Sequence, residues 1–430
     1  MSALTMNPLT MPRRAARRQT STQPGVVERA FAAVVLFLST GAFASLLRLE
    51  SASTVDELEG DVVVQITWLI VYGITLVLLA VRAKATLQLL GRERWLILLC
   101  GLVAASVIWS VAPGVTFRRT AALLGTTAFG VYLASRYTVH ELLRLMRWVL
   151  IAATVLSAVF VVVVPVDGIS DDGAWRGIFA HKNFLGHIMA LTIVVLLFEL
   201  RNRGMVDRLV TVAIFVGSCI ALLESRSVAG LLVAVVVVVT MPLWPIFRLR
   251  RALAVAAAVF ALLAIAATAL WLIASPEQAT AALGKDSTLT GRTALWSLVL
   301  DAIAYRPWLG YGYNAFWLGR DGESAAIWAA AFWQPSEAHN GYLDLGLQLG
   351  VVGVILFLSG FAAAVWRAIG VIRRTSTAYA LWPMAYLMLI VIANLAESMI
   401  LVRNNIFWIL YVVTCVWLIR PHPDKKAIAT

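Results

Sequence analysis

Long apolar runs constrain this chain more than any other feature. Runs of roughly 17 to 23 residues, the length that crosses bilayer hydrocarbon as a helix, follow one another along nearly the whole sequence. They place spans near 30–48, 62–81, 95–110, 120–135, 148–165, 184–200, 209–224, 228–246, 252–274, 341–365, 379–399 and 406–419. A backbone that leaves water must satisfy its own polar groups, which a helix does unaided. The expectation is an all-α, polytopic integral membrane protein of about twelve transmembrane helices. Composition agrees: 61% of residues are hydrophobic and 13% charged, against about half and a quarter in soluble domains.

The basic residues orient these spans. Of 35 Lys and Arg, 24 fall in every second connection: Arg13 to Arg29, Arg82 to Arg94, Arg136 to Arg147, Arg201 to Arg208, Arg248 to Arg251, Arg367 to Arg374 and Arg420 to Lys426. Cytoplasmic loops carry such an excess, so both termini are expected in the cytoplasm. The chain then divides into a basic tail (1–29), nine spans (30–274), one large external loop (275–340), three further spans (341–419) and a short tail (420–430). The net charge of +12 is that of an oriented membrane protein and requires no nucleic acid. Cys100, Cys219 and Cys415 lie far apart in apolar runs and read as small buried hydrophobes without metal spacing. No cleavable signal peptide is expected, since no small-residue cleavage site follows a short apolar core.

The external loop is where chemistry is expected. Within "TGRTALWSLVLDAIAYRPWLGYGYNAFW", Thr290 reads as an N-cap, and Leu295, Leu298, Val299, Ala302 and Ile303 recur at helical spacing up to Arg306-Pro307. This predicts an amphipathic helix on the outer membrane face. Tyr311 and Tyr313 in the turn that follows are candidates for stacking on a sugar, beside the plainer reading as interface anchors.

Four external helix starts carry cations or histidines. Arg226 occupies a four-residue turn with Ser225 or Ser227 as cap; Arg292 sits in the first turn of the loop helix; His339 and Asn340 precede a span, behind Ser336 as a possible cap; and "WRGIFAHKNFLG" places Arg176, His181, Lys182 and Asn183 before another. Helix N-termini favour anions, and arginine adds a fork matched to phosphate oxygens. The pattern predicts an external site for a phosphate-bearing, membrane-resident substrate. The same dipole is expected to keep His339 neutral, so that it serves as a general base. Asn340, Asp344 and Gln348 form a stripe too polar for lipid, and Gly346, Gly350 and Gly353 one suited to close packing. Asp171, Asp172, His181 and His187 match no metal-ligand spacing, so no metal is expected.

"SRS" after a span, "TGRTALW" followed by "RPWLGYGYNAF", and "AHNGYLDLGLQLGVVG" resemble the O-antigen ligase and O-antigen polymerase superfamily, while "WRGIFAHKNFLG" is similar to its exopolysaccharide polymerase branch of the succinoglycan type. The resemblance covers about residues 170–360. It implies a cofactor-free, metal-independent, inverting glycosyltransferase in the bacterial inner membrane, with its active site facing the periplasm. Donor and partners would be undecaprenyl-diphosphate-linked glycan, a saccharide acceptor and the bilayer, with chain-length regulator and export proteins beyond them. Carried over by motif, Arg226 and Arg292 would hold the diphosphate and His339 would be catalytic; Arg176, His181, Lys182, Asn183, Asn340, Asp344, Tyr311 and Tyr313 are candidates for substrate contact. A ligase, moving finished glycan onto lipid A-core or protein, is the alternative within the superfamily. A secondary transporter is the alternative outside it, disfavoured by the lack of an internal repeat.

Overall fold

The computed structural model describes residues 24–42, 62–200, 204–248, 288–330 and 334–420. Their regular secondary structure is helical, with one isolated bridge between Ile169 and Trp175 and no named strand among the described residues. The helices are α1 (Val26–Leu38), α2 (Val62–Ala80), α3 (Ala83–Leu90), α4 (Arg94–Ala105), α5 (Pro113–Arg136), α6 (Val139–Val163), α7 (Lys182–Glu199), α8 (Met205–Glu224), α9 (Val228–Thr240), α10 (Thr288–Tyr305), α11 (Ala325–Ala330), α12 (Gly341–Arg374), α13 (Trp382–Ala393) and α14 (Ile406–Leu418). Among the described residues, six helical segments are long and apolar enough to span a bilayer: α2, α6, α7, α8, Val228–Pro245 and α12. Shorter apolar helices accompany them, and the chain is a multi-pass, all-α membrane protein. The expected span at 252–274 lies outside the described residues, as do 275–287 at the start of the external loop.

Burial sorts the helices. α7, α13 and α14 are enclosed on nearly every side, whereas α2 exposes Val62, Val63, Leu69 and Ile70 and suits a lipid-facing position. Small residues let the inner helices touch. A Cβ on Gly230 would lie 2.6 Å from the Gly186 carbonyl carbon where α9 meets α7, and one on Gly130 would lie 2.8 Å from Val412 where α5 meets α14.

The basic connections gather at one end of this bundle. Arg420 donates to the carbonyls of Ala134 (2.7 Å) and Tyr137 (3.1 Å), and Arg136 pairs with Glu28 at 2.7 Å. Arg248 donates to the Ile372 carbonyl at 3.1 Å, and Arg373 to that of Phe247 at 2.8 Å. The starts of α7, α9 and α12 lie at the other end.

Several local expectations are corrected. The loop helix α10 starts at Thr288, so Thr290 lies inside it. Its apolar stripe packs on protein: Leu295 and Val299 join a small core with Tyr311, Phe316, Trp317 and Leu347. The cap of α12 is Asn340, not Ser336, with Oδ1 accepting from the backbone of Tyr342 (3.0 Å) and Leu343 (3.2 Å). The expected span 379–399 stops at Ala393, leaving 394–405 as a non-helical connection.

α12 is also interrupted, because Gly350 takes φ 63° and ψ −166°. The segment after α10 plugs that break. Tyr311 N–H donates to Leu347 O (2.8 Å) and Gly312 N–H to Gln348 O (3.0 Å), while Val351 N–H donates to Pro307 O (2.7 Å). Side chains at Gly310 or Gly350 would strike the opposing backbone at 2.4 and 2.3 Å. Gly310 of "RPWLGYGY" therefore serves close backbone docking on α12 at its break.

Candidate active site

Three segments distant in sequence converge on the carboxylate of Glu397, in the 394–405 connection. Its Oε1 accepts from Asn183 Nδ2 at the start of α7 (2.6 Å) and from Arg292 Nη2 on α10 (3.1 Å); its Oε2 lies 3.3 Å from His339 Nδ1. Glu337 Oε1 lies 3.2 Å from the same Nδ1. The Glu397 side chain is only 7% exposed, so it depends on these partners.

Local structure holds His339 there. The residue takes φ 48°, a left-handed conformation uncommon among residues other than glycine. Asp344, one turn into α12, fixes both neighbours of the pair. It accepts the Ala338 N–H (3.0 and 3.2 Å), Trp317 Nε1–H (2.7 Å) and the hydroxyl of Ser398. Gly341 N–H donates to Asn394 O at 2.9 Å, and a Cβ at Gly341 would meet Asn394 Oδ1 at 1.9 Å. The "HNG" sequence is thus a histidine, a helix cap, and a glycine that lets the 394–405 connection close on it. Asp344 and Asn340 act here as supports of the site.

A second arm begins at Arg226, another left-handed residue (φ 50°). Its Nη1 donates to the Asp172 carbonyl at 2.8 Å, and the Asp172 carboxylate pairs with Lys182. Ser227, not Ser225, caps α9 by accepting from Gly230 N–H at 3.2 Å. His181 caps α7, its Nδ1 accepting from Asn183 N–H at 3.2 Å. The "HKN" segment therefore joins the two arms: Lys182 faces the Arg226 side and Asn183 faces Glu397. Arg176 braces the turn at Pro165–Gly168, donating to the Asp167 carbonyl at 2.9 Å. Tyr311 and Tyr313 are buried, and their hydroxyls donate to Ala302 O (2.8 Å) and Leu401 O (2.6 Å). Both rings are committed to the fold.

The charges overturn the expected state of His339. Burial pulls its pKa down, but the hydrogen bonds and charges of Glu337 and Glu397 outweigh burial and lift it to about 10. His339 precedes the cap residue, where a helix terminus contributes only about 0.3–1 kcal/mol, so two adjacent carboxylates win. Burial likewise opposes ionisation of Glu397, yet His339 and Arg292 hold it well below the usual carboxylate range. Burial pushes Glu337 up to about 7 against the His339 bond. The Lys182 ammonium holds Asp172 below its ordinary value. The pKa of His181 is lowered, chiefly by burial.

Glu337, His339 and Glu397 each bring a potential metal-ligand atom within 4.8 Å of the others. The fit is poor, because Arg292 and Asn183 already occupy Oε1 of Glu397 and the imidazole Nδ1 faces the two carboxylates. Glu397 and Glu337 escaped the sequence reading. A glutamate inside an apolar run was the available signal for Glu397.

The fold and this cluster define a polytopic membrane protein with a buried histidine–carboxylate–arginine centre at one end of its bundle. Residues 210–358, which include Arg226, Arg292 and His339, match the family model described as O-antigen ligase. The chain is also 27% identical over 309 residues to the exopolysaccharide production protein ExoQ of Rhizobium meliloti (strain 1021), covering 68% of this chain and 69% of that protein. These similarities support the O-antigen ligase and polymerase superfamily, near its exopolysaccharide branch, and a role in polysaccharide production.

Proposed function

We propose that the protein is an inverting glycosyltransferase that polymerises undecaprenyl-diphosphate-linked repeat units at the periplasmic face of the inner membrane. The observation that carries this reading is the convergence of Arg292, His339 and Asn183 on one buried carboxylate, with Arg226 and Lys182 meeting at Asp172. In the reaction, a hydroxyl oxygen of the acceptor sugar attacks the anomeric carbon of the donor. The bond from that carbon to the diphosphate breaks, and the diphosphate leaves with the bonding pair. Arg226 and Arg292 stabilise the charge that grows on it, so the centre works without a divalent metal. The carboxylates at Nδ1 hold His339 with Nδ1–H as donor; the resting ring is charged, and once it has lost its Nε2 proton to solvent, Nε2 takes the hydroxyl proton. They then stabilise the imidazolium that results.

The test is direct. Purified protein incubated with undecaprenyl-diphosphate-linked repeat units and a chelator should yield lipid-linked saccharides of two or more units. Failure in chelator with recovery on adding a divalent metal refutes metal independence, and failure in both conditions refutes polymerisation.

The ligase reading is favoured by one observation, the description of the family model matched by residues 210–358. It predicts transfer to a lipid or protein acceptor without chain growth. The "HKN" segment at the centre, together with the similarity to an exopolysaccharide production protein, favours polymerisation.

A further inference from the structure

Glu397 places a negative charge in the middle of a site read as holding a diphosphate. Three donors already point at it: Asn183 Nδ2 at 2.6 Å, Arg292 Nη2 at 3.1 Å and His339 Nδ1 at 3.3 Å. Phosphate oxygens accept from the same groups in the same charge-assisted way. We propose that Glu397 is the resident counter-ion of the donor site, holding Arg292 and Asn183 until the donor diphosphate arrives and then exchanging with it. The inference rests on the reading of this centre as a diphosphate site.

The physical case has two sides. Arg292 and an imidazolium at His339 would repel each other in this poorly solvated place, and the "HKN" start of α7 would lack its tie to α10. Glu397, 7% exposed, supplies the charge and the acceptors that hold these groups in register before substrate binds. The same carboxylate opposes the donor, because a like charge beside an anion site weakens anion binding. Its return to Arg292 would also displace the diphosphate product. No covalent bond changes in this exchange. Glu397 is a positioning residue that acts through Arg292, Asn183 and His339, and the prediction is contrary to that for a simple structural anchor. Removing its charge while keeping its shape should tighten anion binding and slow turnover.

Inorganic pyrophosphate is the probe, titrated calorimetrically into the detergent-purified full-length chain. Glu397→Gln should bind it about tenfold tighter than the wild type, which corresponds to about 1.4 kcal/mol. Glu397→Asp, with its charge one methylene farther from Arg292, should bind about threefold tighter and serves if the glutamine variant does not fold. In turnover assays with the lipid-linked donor, KM and kcat should both fall in Glu397→Gln. Wild-type binding with equal or weaker binding in the variants overturns the counter-ion proposal and leaves the diphosphate reading intact. Failure of the wild type and both variants to bind pyrophosphate overturns the diphosphate reading and the proposal with it.

Discussion

His339 and Glu397 are 58 residues apart in the chain, yet Nδ1 of the one lies 3.3 Å from Oε2 of the other. Two consequences follow from that contact and from Glu337 at 3.2 Å on the same nitrogen. The imidazole tautomer is fixed, and its affinity for a proton is raised.

The first prediction is a pH profile. A general base must be neutral, and the pKa of His339 is raised from 6.5 to about 10. Activity should therefore be low in acid and rise with pH, with its limb above 6.5. The groups facing the ring are Glu337, Glu397 and the more distant Arg292 and His181. Glu337→Gln removes one carboxylate and should move the limb of kcat/KM toward acid. An unmoved limb in that variant contradicts the assignment of His339 as base.

Arg226 and Arg292 are expected to contribute through their forks. Alanine at either position should remove charge-assisted hydrogen bonds worth about 1.5–3 kcal/mol, and lysine should restore only part of the activity. Western blotting of membranes controls for expression. Wild-type turnover by both alanine variants at equal protein level contradicts the diphosphate role.

How much of this was legible in the sequence depends on the range of the interactions. The apolar runs announced α2, α6, α7, α8 and α12 because span length is a local property. Arg292, His339 and the "HKN" residues stood out because cations and histidines at helix starts are visible in a line of text. Glu397 did not, since the apolar residues around it absorbed it into a span; only the fold shows that α13 ends at Ala393 and that the connection turns back to His339. The state of His339 was misjudged for the same reason, because the helix start is local and the two carboxylates are not. Tyr311 and Tyr313 had the composition of a sugar platform, and only long-range contacts with Ala302 and Leu401 reveal their burial.

The glycines offer a test of the scaffold. Gly341→Ala sets a Cβ 1.9 Å from Asn394 Oδ1, and Gly350→Ala sets one 2.3 Å from the Trp308 backbone at a left-handed φ. Both should lower the melting temperature of the detergent-purified protein and its activity. Gly370→Ala, with nothing within 4 Å, should be close to neutral in both. Equal behaviour of the three variants would contradict the docking of 307–312 on the broken helix.

Topology is tested separately. Single cysteines at Arg320 and Arg374, in an otherwise cysteine-free chain, should differ toward a membrane-impermeant thiol reagent in intact spheroplasts. Arg320 lies between α10 and α12 at the site end, and Arg374 at the end where Arg248 and Arg373 meet the opposing carbonyls. The cysteine at 320 should label and that at 374 should not; the reverse pattern puts the site on the cytoplasmic face.

The central claim, that His339 serves a polymerase, is tested most directly by mass spectrometry of the lipid-linked saccharide pool in cells carrying only His339→Ala. General-base removal costs about 10² to 10⁴-fold in rate, so single repeat units should accumulate on undecaprenyl diphosphate and long chains should disappear. Long chains that still form and remain lipid-linked would contradict polymerisation and assign the centre to ligation, and a pool identical to that of the wild type would remove His339 from the chemistry.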